Sequence, residues 1–540
     1  MGDKRWTLVA VILGSGIVFL ESSIVAAALP KIGEELSSTL LKTLEAQSYV
    51  YYGYLLALSA LLILCGALTD YHGRKKMFLY GLLGFGITSV LCGIAWNMEV
   101  LIVARLLQGA SGALLVPGSL SIITATFEGE EQGRAFGIWA GASAVTTILG
   151  PVLGGALVAY ISWRAAFLIN VPVILVAAWL TSKYMAESRD EQAAGRFDWV
   201  GAVVVAAAVG GLTFGAIRGQ SQEWSGLGPY LALGVGVAAT IAFPILMARS
   251  PHPLVPLDLF KSRNFTVTNI STLLIYGAIY VLIQFMALFT VGVLGYNEVG
   301  FGIAVVPSTT FLALFSTRFG AMADRFGPRI FMTVGPLLMG VGLLWFTRIP
   351  ASSAPWTPEL SDASSFVPPI DYVTDVLPAL VVFGVGLMIM VAPLTTALMR
   401  SVPVRHSGVA SAFNNAISRV GPQLAGALIF VVISAAFYAS VESKVGSEDL
   451  GERTVREQVS PLNRPAGDAP TNLRAAATDA STDAFRIAML IAALLCLAGA
   501  AVNGIGIVDP GKERKEEPPE RAVMPNPQAP SAEAPAESGS

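Results

Sequence analysis

Ionisable side chains inside apolar stretches are the residues of this sequence that could do chemistry. Glu21 lies in an apolar stretch over residues 7–29, and Arg105 lies in another over residues 100–126. A carboxylate inside a membrane span costs about 2.5–3.5 kcal/mol on insertion scales, and loss of water favours its protonated form. Both side chains lie at similar depths if each helix rises about 1.5 Å per residue, so they would pair if their helices are neighbours. We predict that Glu21 carries a proton and that Arg105 modulates it, with a static buried ion pair as the alternative.

The composition indicates that these apolar stretches lie in a lipid bilayer. Of the 540 residues, 54% are hydrophobic and only 13% are charged, against about 25% charged in an average soluble protein. Fourteen apolar stretches approach the roughly 20 residues that a helix needs to cross a bilayer. They are residues 7–29, 47–69, 77–97, 100–126, 135–159, 163–185, 199–218, 229–248, 265–292, 299–318, 330–348, 375–399, 407–438 and 484–508. We therefore predict an all-α integral membrane protein with 14 transmembrane helices.

Basic residues in the loops predict the orientation. One alternating set of loops carries lysine or arginine, as at residues 74–76, Arg134 and Arg325. The other set is poorer in these residues, and its long segment 349–374 has neither. Loops rich in Lys and Arg stay on the cytoplasmic side. Because the number of predicted spans is even, both termini are predicted to be cytoplasmic.

A segment that occurs twice predicts a two-part architecture. Residues 66–76 read GALTDYHGRKK, and residues 320–330 read GAMADRFGPRI. Both copies share the pattern G-A-x-x-D-x-x-G, and each follows an apolar span. A duplicated loop between duplicated spans indicates two related halves, an arrangement that is most often a secondary transporter.

Two predicted spans are left over between six-span halves. We predict an N-terminal six-helix bundle over residues 1–190, an inserted helix pair over 191–262 and a C-terminal six-helix bundle over 263–509. Residues 510–540 combine Pro, Glu and Ala with the charged run GKERKEE. Such a composition cannot bury a core, so we predict a disordered cytoplasmic tail.

The repeated segments are predicted to act in gating. Their glycines permit close helix approach and a tight turn, and their aspartates can face the positive N-terminus of another helix. Their basic residues can pair with acidic groups across the interface between the halves, as a latch that holds one access state. Ordinary anchoring of the loops in the cytoplasm is the alternative. The predicted gating residues here are Gly66, Asp70, Gly73, Arg74, Gly320, Asp324, Arg325 and Gly327.

Polar and aromatic residues within the spans predict a cavity for amphipathic compounds. Asn269, Tyr276, Tyr280 and Gln284 follow one another at spacings of seven, four and four, so they share one helical face. Helix–helix packing through interhelical hydrogen bonds is the alternative. With further polar residues of the fourth and thirteenth spans, the predicted cavity residues are Gln108, Asn269, Tyr276, Tyr280, Gln284, Asn414, Asn415 and Arg419.

The sequence lacks the motifs of soluble catalysis. It has no catalytic constellation and no phosphate-binding loop, which argues against an enzyme and against direct coupling to ATP. Its three histidines and three cysteines show no metal-ligand spacing. We expect no metal and no cofactor, with a proton gradient as the energy source. The expected partners are a small-molecule substrate, protons and the bilayer; the net charge of −3 gives no sign of nucleic acid binding, and we expect a monomer.

Several motifs carry a family resemblance. LESSIVAAALP (20–30), RLLQGASGALLVPGS (105–119) and GPVLGG (150–155) resemble the first-, fourth- and fifth-span signatures of the 14-span drug:proton antiporters. The repeated loop resembles that of the major facilitator superfamily, to which those antiporters belong. SWRAAFLINVP, FDWVGA and GVASAFNNAISRVG resemble further landmarks of the same family.

The chain departs from this family pattern at three positions. The first-span signature usually has Asp where this chain has Glu21, and Asn where it has Ala26. The loop usually has Arg where this chain has Tyr71. Glutamate keeps a titratable carboxylate, whereas the other two changes alter groups expected in gating and substrate contact.

The resemblance implies two six-helix bundles with two extra helices between them, in a bacterial plasma membrane. It implies that Gly150, Pro151, Gly154 and Gly155 form a pliable seal between spans, although small residues four apart also serve ordinary close packing. The implied function is proton-coupled export of small, lipophilic or drug-like compounds by alternating access. Export of a dedicated metabolite, lipid or peptide on the same fold is the alternative. A membrane enzyme or receptor is disfavoured, because the spans hold no catalytic set and the tail is too short for an output domain.

Overall fold

The structure is a computed structural model of the chain. It describes residues 2–37, 43–189, 197–221, 226–359, 361–445, 458–466 and 469–509. Within these residues the backbone is helical, and the β-type pairing is limited to an isolated bridge between Glu359 and Asp362. The predicted tail over 510–540 lies outside the described residues.

The first part of the chain forms a helical bundle. Its described helices are α1 (Gly2–Glu35), α2 (Thr43–His72), α3 (Arg74–Gly93), α4 (Met98–Thr126), α5 (Gly129–Tyr160), α6 (Trp163–Leu168) and α7 (Asn170–Tyr184). A helix satisfies its own backbone hydrogen bonds, which apolar surroundings require. Side-chain caps fix where two helices begin: Asn97 accepts from the Val100 amide before α4, and Ser162 accepts from the Arg164 amide before α6.

The remainder of the described chain is built in the same way. Its long helices are α8 (Trp199–Ser221), α9 (Gly228–Arg249), α10 (Arg263–Gly292), α11 (Glu298–Phe326), α12 (Arg329–Phe346), α13 (Leu377–Arg400), α14 (Ser407–Val445) and α15 (Thr471–Gly506). A turn of π-helix, Tyr372–Val376, leads directly into α13.

The prediction of an all-α membrane protein is confirmed. Thirteen described segments are long and apolar enough to cross a membrane, and the fifth predicted span lies in α5, a helix of 32 residues. The segment between the predicted spans 407–438 and 484–508, expected as an external loop over 440–483, is partly helical, because α14 continues to Val445 and α15 begins at Thr471. Hydropathy detects only the apolar centre of a helix whose polar ends extend beyond the bilayer core. The sixth predicted span is divided at Ile169 into α6 and α7.

Two large clusters of buried apolar side chains hold the bundle together. One belongs mainly to α10–α15 and contains Phe289 stacked on Phe485, with ring centroids 4.1 Å apart. The other joins α1–α5 and α7 with α8, α9 and one face of α14. Two helix pairs make most of the contacts between the first part of the chain and the last, because α2 packs along α14 and α5 packs along α11. α4 also contacts α14, and α5 also contacts α13. The domain boundaries drawn from the sequence stay predictions.

The extra helices α8 and α9 form a hairpin at the side of the bundle. Glycines bring them together, since a Cβ added to Gly211 would lie 2.7 Å from the Gly236 nitrogen. α9 packs chiefly on α8, whereas α8 also contacts both α2 and α14. α8 therefore flanks one of the two junctions between the first and last parts of the chain.

Candidate functional site

Glu21 and Arg105 form a buried ion pair. Their helices, α1 and α4, are neighbours, and Arg105 Nη1 donates to Glu21 Oε1 at 2.8 Å. Both side chains are fully buried. The attraction between two opposite charges is strong where water is excluded, and removal of either residue leaves a buried charge without a partner. The pairing is the one expected from the sequence, while the proton-carrying role of Glu21 stays a prediction.

Two further hydrogen bonds fix the position of Arg105. Its Nε donates to the Val50 carbonyl at 3.0 Å, and its Nη1 also donates to Gln108 Oε1 at 2.7 Å. Gln108 in turn donates to the Ser89 hydroxyl at 2.9 Å. Gln108 is fully buried, so it supports the ion pair and does not line a cavity as predicted.

Asn170 completes the surroundings of Glu21. It is the first residue of α7, and its Nδ2 donates to Glu21 Oε2. Its Oδ1 is buried and has no hydrogen-bond partner in the described structure. Asn170 is not among the residues predicted from the sequence, where its signal is a lone amide inside an otherwise apolar span.

An aromatic ring covers the guanidinium of Arg105. The guanidinium carbon lies 4.2 Å from the ring centroid of Tyr54, within the range of a cation–π interaction. The Tyr54 hydroxyl donates to the Val18 carbonyl of α1 at 3.1 Å, which fixes the ring. We call Glu21, Tyr54, Arg105, Gln108 and Asn170 the ion-pair cluster.

Asp70 of the first repeated segment joins α2 to α14. Its Oδ1 accepts from Arg74 Nη2 at 3.0 Å, and its Oδ2 accepts from the Val409 amide at 2.9 Å. Val409 lies in the first turn of α14, where free amides form the positive end of the helix dipole. Arg74 was expected to find an acidic partner across the interface. Its acidic partner lies in its own segment, and across the interface it donates to the Val404 carbonyl.

Asp324 occupies the equivalent place in the second repeated segment. Its Oδ1 lies 2.9 Å from Arg400 Nη1 of α13. It also faces the start of α5 so closely that a Cβ added to Gly133 would lie 1.9 Å from its Oδ2. Arg325, predicted to act in gating, is exposed and lies 5.3 Å from the ring of its neighbour Phe326. The cation beside Asp324 is therefore Arg400, which the sequence did not indicate.

The second glycine of each repeated segment makes a turn that favours glycine. Gly73 and Gly327 have φ angles of 108° and 87°. Each faces a carboxylate that caps the following helix. Glu187 accepts from two amides at the start of α3, at 3.0 and 3.1 Å, and Asp509 accepts from the Arg329 amide at the start of α12, at 3.2 Å.

Glycines also allow the first and last parts of the chain to touch. A Cβ added to Gly66 of α2 would lie 2.5 Å from the Gly408 carbonyl oxygen of α14. A Cβ added to Gly137 of α5 would lie 2.5 Å from the Thr317 Cα of α11. A side chain at either position would force the helices apart, so glycine is required for this contact.

We call the end of the bundle that carries loops 66–76 and 320–330 the repeat-loop face. The Ser121 hydroxyl of α4 and the Ser407 hydroxyl of α14 lie 3.1 Å apart at this end. Together with the aspartate and glycine contacts, this short distance shows that the repeat-loop face is closed in the structure.

The predicted seal of the fifth span lies farther along α5. A Cβ added to Gly150 would lie 2.2 Å from the Ser23 Cβ of α1, so this glycine packs within the first part of the chain. Gly154 is buried, whereas Gly155 is exposed and has no atom within 4 Å of an added Cβ. The backbone remains helical through Pro151. The role of these residues as a seal stays a prediction.

The asparagines predicted to line a cavity serve helix packing in the structure. Asn414 of α14 donates to Asn269 Oδ1 of α10 at 3.0 Å and to the Thr272 hydroxyl at 2.8 Å. Asn269 and Asn414 are both buried. Asn415 donates to the Ser411 carbonyl of its own helix at 2.9 Å. The alternative drawn from the sequence, interhelical hydrogen bonding, therefore describes Asn269 and Asn414.

The remaining predicted cavity residues are partly exposed. They are Tyr276, Tyr280, Gln284 and Arg419. The Tyr280 hydroxyl of α10 accepts from Gln423 Nε2 of α14 at 3.3 Å, and Tyr51 and Tyr52 of α2 are partly exposed as well. Partly exposed tyrosines are therefore contributed by both parts of the chain.

Comparison with known proteins agrees with this geometry. A sequence model of the Major Facilitator Superfamily matches residues 11–426. The chain is 30% identical to the tetracenomycin C resistance and export protein of Streptomyces glaucescens, over 80% of this chain and 76% of that protein. It is 29% identical to the multidrug resistance protein Stp of Mycobacterium tuberculosis, over 81% and 77% of the two chains. It is 27% identical to the multidrug efflux pump LfrA of Mycolicibacterium smegmatis, over 93% and 96%.

Solved structures share the fold. The human organic anion transporter MFSD10 superposes with a TM-score of 0.57 at 13% identity, over 93% of this chain and 99% of that one. The proton:xylose symporter XylE superposes with a TM-score of 0.52 at 13% identity, over 92% and 95%. Because the sequence model spans most of the chain and the helices adopt the fold of these transporters, this chain belongs to the major facilitator superfamily.

Proposed function

We propose that this transporter exports small, lipophilic or drug-like compounds in exchange for protons. The observation that carries the proposal is the ion pair of Glu21 and Arg105, fully buried in an apolar helix bundle. A membrane-embedded carboxylate is costly and is kept where a protein moves protons or ions. Resistance, export and efflux proteins among the relatives named above support export as the direction of transport.

The surroundings of Glu21 suit a group that changes its protonation state. The ionised carboxylate is satisfied by Arg105 and by the Asn170 Nδ2. A protonated carboxyl needs an acceptor, and Asn170 Oδ1 is a buried acceptor without a partner. Rotation of the Asn170 amide group would therefore satisfy either state, while protonation would weaken the attraction between Glu21 and Arg105.

Alternating access would couple this change to transport. With the repeat-loop face closed, a proton from the opposite side would reach Glu21 as substrate is released on that side. Separation of Asp70 from the start of α14 and of Asp324 from the start of α5 would open the repeat-loop face. Loss of the proton there would restore the substrate-binding state.

The setting of the proposal is a bacterial plasma membrane with both termini in the cytoplasm. The repeat-loop face, which carries Arg74 and Arg329 beside its short loops, would then be cytoplasmic. The transporter would act as a monomer, without a cofactor, with the proton gradient as its energy source.

The test is transport of N-phenyl-1-naphthylamine, a neutral lipophilic dye, by proteoliposomes under an imposed pH gradient. We expect wild type to move the dye with the gradient and Glu21→Gln to lose this dependence. Glu34→Gln is the matched control, because Glu34 lies on the same helix, is exposed and pairs with Lys31 at 2.9 Å. Equal gradient-driven transport by Glu21→Gln would refute Glu21 as the coupling group. Absence of dye transport by wild type would favour a dedicated exporter.

A further inference from the structure

Arg419 is a membrane-embedded cation that the proposed proton pathway does not use. It lies in α14 about 18 Å from the start of that helix at Ser407, near the middle of a hydrocarbon core of about 30 Å. Its Nε is buried without a hydrogen-bond partner, and no acidic side chain of the described chain pairs with it. A cation in such a place is expensive unless an anion satisfies it.

The position of Arg419 is at the junction of the two halves. Arg419 shares a helix face with Ala412, seven residues earlier, and a Cβ added to Gly66 of α2 would lie 2.4 Å from the Ala412 Cβ. This side of α14 therefore faces α2, the helix that also carries Tyr51, Tyr52 and Tyr54.

The charges in this region do not balance. Glu21 is paired with Arg105, and Arg105 lies on the ring of Tyr54, so one positive charge remains on Arg419. Arg419 is partly exposed although its Nε is buried, so the side chain is not sealed off from a ligand. The planar fork of arginine matches an oxyanion through two parallel hydrogen bonds.

We propose that Arg419 binds an anionic group of the substrate, so that the transporter accepts amphipathic compounds carrying a carboxylate, sulfonate or phenolate beside an apolar body. This inference rests on the proposed export function and adds the chemical class of the substrate. The apolar body would lie against Tyr51, Tyr52 and Tyr280, which are also partly exposed. A single negative charge would compensate the single unpaired cation.

The test compares two dyes that differ by one anionic group. The anionic dye 8-anilinonaphthalene-1-sulfonate is N-phenyl-1-naphthylamine with an added sulfonate. Both are assayed in phosphatidylcholine proteoliposomes under the same pH gradient, so that no anionic lipid headgroup competes for the guanidinium. We expect Arg419→Gln to raise the apparent KM for the anionic dye about 10- to 100-fold, the range of a lost charge-assisted hydrogen bond. Transport of the neutral dye should change less than about twofold, because this dye has no anionic group for Arg419 to bind.

Two further variants separate charge from structure. Arg419→Lys keeps the charge but not the fork, so it should recover part of the anionic transport. Arg249→Gln, on the exposed end of α9, should leave transport of both dyes unchanged. In wild type, unlabelled 1-naphthalenesulfonate should inhibit transport of the neutral dye more strongly than naphthalene does, a test that needs no variant.

The outcomes distinguish this inference from the proposed function. Wild-type transport of the neutral dye without the anionic one would overturn the anion site and leave proton-coupled export standing. Equal effects of Arg419→Gln on both dyes would also overturn it, since a structural role predicts that result. Failure of wild type to move either dye would overturn both.

Discussion

Each carboxylate oxygen of Glu21 has its own donor, and the two donors differ in kind. Arg105 supplies a charge to Oε1, and Asn170 supplies a neutral amide to Oε2. The charged donor is held by Val50 and Gln108, so it cannot follow the carboxylate when the carboxylate becomes neutral. Proton binding would therefore change the interaction energy between α1 and α4 without a large movement of either side chain.

Removal of Arg105 alone should be more damaging than removal of the whole pair. We expect Arg105→Gln to lower the free energy of unfolding by about 3–5 kcal/mol, because it leaves the Glu21 charge buried and unpaired. The double variant Glu21→Gln/Arg105→Gln should regain part of that loss. Melting temperatures of the purified proteins in detergent would rank wild type, the single variant and the double variant by stability. Strictly additive losses would show that the two residues are not coupled.

The pairing of Glu21 with Arg105 could be predicted because depth follows from residue number in a straight helix. The surroundings of the pair could not. Gln108 was assigned to a cavity because its position along α4 says nothing about which neighbour it faces. Asn170 was missed because its role depends on the division of the sixth span at Ile169, where α7 begins beside α1.

At the scale of elements, helix ends and glycines hold the repeat-loop face closed. Asp70 binds the first turn of α14, and Gly66 lets α2 approach that turn. The same helices also carry Tyr52 and Arg419. Motion at the helix ends would thus be transmitted along α2 and α14 to the substrate region, which is the requirement for alternating access.

A disulfide across this face should stop transport. Ser121→Cys and Ser407→Cys would place two thiols where hydroxyls now lie 3.1 Å apart, so a small adjustment of the side chains would allow a bond of about 2.05 Å. The three native cysteines, Cys65, Cys92 and Cys496, are free and buried and would first be replaced by alanine. Oxidation should abolish dye transport and a reductant should restore it, while each single-cysteine variant stays active. A fully cross-linked transporter with wild-type rates would contradict alternating access through this face.

The limits of the predicted helices have a physical explanation. Polar residues at helix ends look like loop in a hydropathy profile, so α15 begins well before its predicted start although it is continuous from Thr471. Contacts between the first and last parts of the chain were even harder to predict from the sequence. The sequence indicated that Asp70 could face a helix start, but nothing in it identified Val409 as the donor, because that requires α2 and α14 to be neighbours.

At the scale of the whole molecule, one arrangement is built twice. Asp70 meets the start of α14 and Asp324 meets the start of α5, so each half supplies an aspartate to a helix of the other. The duplication could be predicted from the sequence. The cation that pairs with each aspartate could not, because the two copies take it from different positions in the chain. Pro328 stands in the second copy where the first has Arg74, and Arg400 of α13 supplies the missing charge. Two related halves thus reach the same electrostatic result with different residues.

The orientation of this two-part molecule gives the last prediction. Ala186 is exposed after α7 on the repeat-loop face, and Ser364 is exposed in the segment between α12 and α13 on the opposite face. In a cysteine-free background, a membrane-impermeant maleimide should label Ser364→Cys in intact cells and Ala186→Cys only after permeabilisation, because loops rich in Lys and Arg stay in the cytoplasm. The reverse pattern would place the repeat-loop face outside. The closed end would then face the external medium, and the direction of the proposed export cycle would have to be inverted.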